Sequence, residues 1–248
     1  MRGKKIGLFL VLFPLAALAT EVTALPFPED LLRGEERQSV KEVVEESTAH
    51  QQMNGLRLPG RQDVIMYLLM HPDFTASLGR AAGVSQYTVE RRGEVEYWAN
   101  DHEGLEGLIE VLHAQNGKLV LYAEGKYQSG IIRIPGRLAL VVHASERKDQ
   151  ESFYVENSVS SYVRVDSPLF HGLRFLFRPL VAHAAEKRIR RFFDTINRLL
   201  TELHQDPEPL FQALPPNTWQ QEVDELRRLL TPPSTSSAGA RTPNIPYE

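Results

Sequence analysis

The stretch Pro179–Leu203, PLVAHAAEKRIRRFFDTINRLLTEL, constrains what this chain can fold into more than any other. Ile189, Phe192, Phe193, Ile196, Leu199, Leu200 and Leu203 recur at the i, i+3, i+4, i+7 spacing of an amphipathic helix. Lys187, Arg188, Arg190, Arg191, Asp194, Asn197 and Glu202 fall between them as a solvated face. At 1.5 Å per residue such a helix is about 37 Å long, enough to cross a domain. Pro179 suits its first turn, where a missing N–H costs nothing. The apolar stripe is too broad to be covered by one or two strands. The expected architecture is therefore α+β, a curved antiparallel β-sheet wrapped around a long C-terminal helix.

The upstream segment supplies such a sheet. Six runs between Tyr87 and Asp166 have the character of strands. Tyr87–Arg91 and Val95–Ala99 flank an Arg92-Gly93 turn, and Leu108–His113 and Leu119–Gln128 flank Asn116-Gly117. Arg137–Ser145 and Phe153–Val165 complete the set. Asn and Gly both tolerate φ > 0, which makes Asn116-Gly117 a strong hairpin signal. Connections this short join antiparallel neighbours, and no helical crossover interrupts them, so a doubly wound α/β fold is not expected.

Helices frame the strands. Gln62–Met70 is apolar enough for a buried helix that ends at His71-Pro72, because the residue before proline avoids the helical region. Asp73 can cap a second helix, Phe74–Ala82, which Gly83 stops. Glu35–His50 reads as a short helix with a strand as the alternative, and Gly55–Gly60 as a brief extended piece. Beyond Leu203, Pro207, Pro209, Pro215 and Pro216 break the chain. Asn217 or Thr218 then caps one more helix, whose stripe is Trp219, Val223, Leu226 and Leu230.

Two short helices, a run of antiparallel strands and a long C-terminal helix is the order of the helix-grip fold. Val64-Ile-Met-Tyr-Leu-Leu-Met-His-Pro-Asp73 resembles a helix of the START-like superfamily, also called polyketide cyclase/dehydrase and lipid-transport (SRPBCC) proteins. Gly83–Gly93 is similar to the strand that follows it there, and Tyr122-Ala-Glu-Gly125 and Ile134-Pro-Gly-Arg137 to the middle strands. The resemblance spans about residues 60–204 and includes no catalytic motif. It divides the chain into a signal peptide (1–24), an N-terminal extension (25–59), a START-like domain (60–204), a helical extension (205–230) and a disordered tail (231–248) rich in Pro, Ser, Thr and Gly.

What the resemblance implies is a cavity between sheet and helix that holds a hydrophobic or amphipathic small molecule. A strongly bent sheet is not filled by one helix, which points the same way. Alternation nominates Tyr97, Tyr122, Val141, Phe153, Val155, Phe192 and Ile196 for the enclosed surface, with plain core packing as the alternative for each. Phe192 and Ile196 are placed on the ligand side of the helix, and Lys187–Arg191 outside. The basic residues of the C-terminal helices, Arg174 and Arg178 among them, offer a peripheral contact to anionic lipid headgroups.

The first residues have the form of a secretory signal. Arg2, Lys4 and Lys5 precede the 13-residue apolar run Ile6–Leu18, and Val22-Thr23-Ala24 offers a cleavage pattern. The run is shorter than the roughly 20 residues that span a bilayer. The expectation is export, to a periplasm or the exterior. Losing three bases and one acid with the leader takes the net charge from −4 to −6, and there is no basic tract, which argues against nucleic-acid binding. With no cysteine, disulfides, thiol catalysis and thiolate metal sites are excluded.

Asp101, His102 and Glu103 are the obvious candidates for acid–base or metal chemistry, with His113 or His143 as further ligands. Adjacent residues on an extended chain point to opposite faces, so the favoured reading is a solvated loop in which Asp101 bonds backbone amides. His183 and His71 read as ordinary helix residues. No HExxH, GxSxG, P-loop or GxGxxG occurs, and no cofactor or metal is called for. The expectation is a carrier rather than a catalyst. The alternatives are a cyclase- or hydratase-like enzyme using the same cavity, and an envelope interaction protein that docks a partner on residues 217–230.

Overall fold

The computed structural model describes residues 28–149, 152–167 and 174–231; the expected signal peptide, and the expected tail from residue 232 on, lie outside the described residues. The elements run α1 (Gly34–Glu45), β1 (Ala49–Pro59), α2 (Gln62–Met70), α3 (Pro72–Ala81), β2 (Thr88–Arg91), β3 (Glu96–Asn100), β4 (Leu105–Gln115), β5 (Lys118–Ser129), β6 (Ile132–Lys148) and β7 (Phe153–Val165). Three helices follow, α4 (Arg174–Gln205), α5 (Glu208–Ala213) and α6 (Gln220–Leu230). The strands form one curved antiparallel sheet in the order β1-β7-β6-β5-β4-β3-β2. Consecutive strands β2 to β7 are neighbours because short hairpins join them, and β1 closes the far edge by pairing with β7.

The sheet has seven strands rather than six, and β1 is the addition. Its 11 residues lie where a short extended piece was expected, inside the supposed N-terminal extension. A bulge between Met53 and Leu56 breaks the alternation there, with Gly55 at φ 71° supplying the left-handed backbone it needs. The Asn157 amide, fully buried on β7, donates to the Leu56 carbonyl at 3.1 Å and steadies the bulge. The folded unit therefore does not begin at residue 60. Nor does it end at 204, because Leu210, Phe211, Leu214, Val223 and Leu226 belong to the main core.

The long helix also starts earlier than expected. α4 has 32 residues, about 48 Å at the standard rise, and Pro179 sits inside it rather than in its first turn. One carbonyl a turn earlier loses its α-helical donor, a local cost that the length of the helix absorbs.

Register assigns the side chains to two faces. On β5, β6 and β7 the residues Leu119, Leu140, Val142, Ala144, Val155 and Val159 join the main core with α2, α4 and α6. Their neighbours one step along, Val120, Tyr122, Ala139 and Tyr162, join a second cluster with Leu32, Val40 and Val43 of the α1 segment. The first is the inner face, the second the outer. α2 is apolar all round, with Val64 to Leu69 all buried, because the sheet covers one side and α6 another. Tyr67 donates to the Glu222 carbonyl of α6 at 3.2 Å, and Trp219 lies 5.5 Å from Phe74 between ring centres. The apolar stripe of α6 is thus spent on this chain's own core. On the outer face, Glu42 of α1 pairs with Arg137 and Arg164, and Asp166 bridges the same two arginines, pinning α1 to β6 and β7.

Candidate functional site

The inner face is shaped by three glycines in register. Gly107 of β4 pairs with Gly125 of β5, which pairs with Gly136 of β6. A Cβ added to Gly107 would lie 2.4 Å from the Glu124 carbonyl oxygen and 2.7 Å from Gly125 Cα. At Gly125 it would lie 2.3 Å from the Glu106 oxygen, and at Gly136 2.8 Å from the Arg164 oxygen. Only residues without a side chain let the strand backbones crowd this closely on the concave side. The glycine row is where the sheet bends.

The bend divides the inner face in two. On the side toward the β4–β5 hairpin, α2, α6 and the C-terminal half of α4 (Phe193, Ile196, Leu199, Leu200 and Leu203) fill the space against β5–β7. On the other side lie Leu105, Ile109, Tyr127, Ile134, Leu138 and Val163, all apolar or aromatic, none fully buried, and none part of the main core. Above them runs the N-terminal half of α4, from the exposed Leu180 to Ile189 and Phe192 at the edge of the core. The result is an apolar groove between helix and bent sheet that the chain's own described side chains leave partly open.

Polar groups mark its rims. Asp101 accepts the backbone N–H groups of Glu103 and Leu105, each at 2.8 Å, with one oxygen, and Arg188 Nε of α4 at 3.2 Å with the other. Glu103 pairs with Arg191, and the Arg188 guanidinium stands 5.4 Å from the centre of the Tyr127 ring. Thus the loop Asp101–Gly104 is tied down onto α4. The basic residues of the helix are not all free at the surface: Arg188 and Arg191 hold this loop, and Arg190 pairs with Glu186. Beside the loop is a polar cleft of about 50 Å³ bordered by Tyr87, His102, Glu103, Arg191 and Thr195, room for water but not for a lipid-sized molecule. Among the described residues no group of three or more His, Cys, Asp or Glu could hold a metal ion. Asp101 bonds backbone amides as its sequence setting suggests.

Toward β1 the inner surface carries Gln51, whose amide donates to Glu186 of α4 at 2.6 Å. The Arg190 guanidinium, bonded to the same carboxyl, holds Glu186 below the usual carboxylate range. Ser161, opposite Gln51 and 1% exposed, has a hydroxyl without a hydrogen-bond partner. Near the start of α3, Asp73 is 3% exposed and receives two N–H bonds from Arg91, at 2.9 and 3.3 Å. Burial and the nearby Arg91 charge both push the His71 pKa below its ordinary value.

The seven nominated lining residues separate. Tyr122 packs in the α1 cluster, on the opposite side of the sheet from α4. Val141 pairs with Val120 and Ser160, between inward Leu140 and Val142, so it too faces away from the helix. Both nominations are corrected by register: one step along a strand changes the face. Phe153 stands at the end of β7, 44% exposed, under the Lys148 ammonium. Val155 and Ile196 are fully buried core, and Tyr97 is buried with its hydroxyl donating to the Met70 carbonyl at 3.4 Å. Phe192, edge-on to Phe193, is the one that reaches the groove boundary. The residues that line the groove floor were not nominated. Mid-strand Gly107, Gly125 and Gly136 were the available signal, since a glycine inside a strand marks a bend or a close backbone approach.

No protein-family model matches the chain, and no curated protein matches it. Among solved structures, that of a conserved protein from Geobacillus kaustophilus is similar over 62% of this chain and 95% of its own, at 16% identity and a TM-score of 0.44.

Proposed function

We propose that this chain is a START-like, helix-grip protein that binds or carries a hydrophobic or lipid-like small molecule between its bent sheet and α4. The observation that carries the reading is the groove: six apolar or aromatic residues on the glycine-bent half of the inner face remain partly exposed under a long helix. A fold that needed only a core would cover them, as the other half of the same face is covered. The arrangement of β1, two short helices, six more strands and a long helix suits the helix-grip architecture. The N-terminal charge and hydropathy pattern supports export, with the ligand met outside the cytoplasm.

The test is ligand recovery together with probe binding. Purified protein is examined by native mass spectrometry, extracted with organic solvent, and titrated with a fluorescent apolar probe. Leu138→Arg, at the groove floor, should weaken probe binding at least ~10-fold while the thermal melt changes little, because a buried methylene surface is exchanged for a charge. No extracted molecule and no saturable probe binding in the parent protein would sink the proposal.

A further inference from the structure

We infer that the open end of the groove is a lipid-contacting surface, with the β5–β6 hairpin tip seated in an anionic bilayer. For the ligand's route this rests on the groove reading; for the docking surface it stands on different residues. Ile131 is 103% exposed and Ile132 58%. The two other turns of the sheet that are fully described and tightly hairpinned carry Arg92-Gly93 and Asn116-Gly117, polar as turns in water usually are. Here the turn is Gly130-Ile131, and two β-branched apolar residues stand at the tip.

The tip stands clear of its neighbours. β7 pairs with β6 no further than Gly136, apart from one bond between Asp166 and Pro135, and β4 leaves β5 at Tyr127. Ile132 to Ile134 therefore project about 10 Å past β7. Strand alternation puts Ile132 and Ile134 on the inner face, in line with Tyr127 and Leu105. An apolar track thus runs from the tip into the groove without a break. Leu105 is 42% exposed, and Leu180 of α4, two turns beyond the Arg188 that stands over Tyr127, is 64% exposed. Single exposed apolar side chains are commonplace. Four at one end of a molecule, continuous with its groove, form a surface.

Charge identifies the partner. The acids at this end are occupied: Asp101 by Arg188, Glu103 by Arg191, Glu106 by Lys126 and Asp166 by Arg137 and Arg164. Arg133 next to the tip, and Arg178 and Lys187 on α4, are exposed and have no carboxylate partner among the described residues. Apolar side chains ringed by unpaired cations suit an anionic lipid surface, where isoleucines enter the acyl boundary and cations meet the headgroups. The chain's overall charge of −4 opposes such binding unless the contact is local, which places it at this end.

The experiment is flotation of the full-length mature chain with vesicles of phosphatidylglycerol and phosphatidylethanolamine, and with neutral phosphatidylcholine vesicles. The parent should float with the anionic vesicles, more weakly as salt rises. The double variant Ile131→Ser, Ile132→Ser should lose at least ~10-fold in bound fraction, because both inserted side chains are removed. Its melt and its binding of the apolar probe in solution should match the parent, since neither residue is buried. Arg133→Gln with Lys187→Gln should weaken binding and flatten its salt dependence. A parent that does not float, or a double variant that floats like the parent, overturns the inference. Probe binding without flotation sinks the docking surface and leaves the groove reading standing. Flotation without probe binding does the reverse.

Discussion

Replacing Gly125 by alanine tests whether the glycine row bends the sheet. The new Cβ would lie 2.3 Å from the Glu106 carbonyl oxygen and 2.8 Å from Gly107 Cα. A normal contact begins at 3.0 Å or more, so the strands must separate by about 0.7 Å at a point where both neighbours are backbone and no rotamer offers an escape. Overpacking of this kind costs about 3 kcal/mol, the upper part of the usual range, because the ladder itself has to move. Alanine also removes unfolded-state freedom, which returns about 0.4–1 kcal/mol. The net loss is then about 2 kcal/mol, or about 4–8 °C in melting temperature for a chain of this size. Gly93→Ala is the matched control. Its nearest neighbours belong to the flexible Glu96 side chain, with the carboxylate oxygen at 3.0 Å, and it should be within about 0.5 kcal/mol of the parent. Urea unfolding of all three proteins, compared at a common slope, gives the numbers. Should Gly125→Ala prove as stable as the Gly93→Ala control, the close approach at the bend is not what requires glycine, and the reasoning fails.

Two further changes probe the electrostatics. Arg91→Ala leaves the Asp73 carboxyl buried without its two N–H donors and should cost about 2 kcal/mol in urea unfolding, less than a fully buried pair because Arg91 is itself 40% exposed; a loss under ~0.5 kcal/mol would mean that water replaces the guanidinium. Glu110→Gln should act in the opposite direction. Burial, then the carboxylates of Glu96, Glu36 and Glu124, raise the Glu110 pKa above its ordinary 4.5, and Glu96 lies directly across the strand pair. An acid with a raised folded pKa favours the folded state below about pH 4.5 and loses that contribution as pH rises through the folded value. The glutamine variant should therefore be more stable by about 0.2–1 kcal/mol near pH 7, with the advantage fading on acidification. An advantage that grows toward low pH would refute the assignment.

Much of the architecture was legible because it repeats. The Ile189–Leu203 spacing, the Asn116-Gly117 turn and the apolar run Gln62–Met70 each state their own structure, and α4, the β4–β5 hairpin and α2 follow them. β1 was hidden because its polar residues His50, Gln51 and Gln52 lie on an edge strand and its bulge at Gly55 interrupts the period of two. The groove was hidden for a different reason. Tyr122 and Val141 carry the hydrophobicity expected of a lining, but hydrophobicity does not say which face is which when α1 covers the outer face as well.

From its sequence alone this chain determined a long amphipathic helix and a run of antiparallel strands, since both are set by local spacing and by turns a few residues long. Only the tertiary structure decided which side of each strand meets that helix, because register is a relation between distant segments and one step reverses it. It also decided that α1 and α6 belong to the core and that Arg188 and Arg191 hold the Asp101–Gly104 loop. The groove itself arises from three glycines far apart in sequence, at 107, 125 and 136, which acquire a common purpose only when pairing brings them side by side.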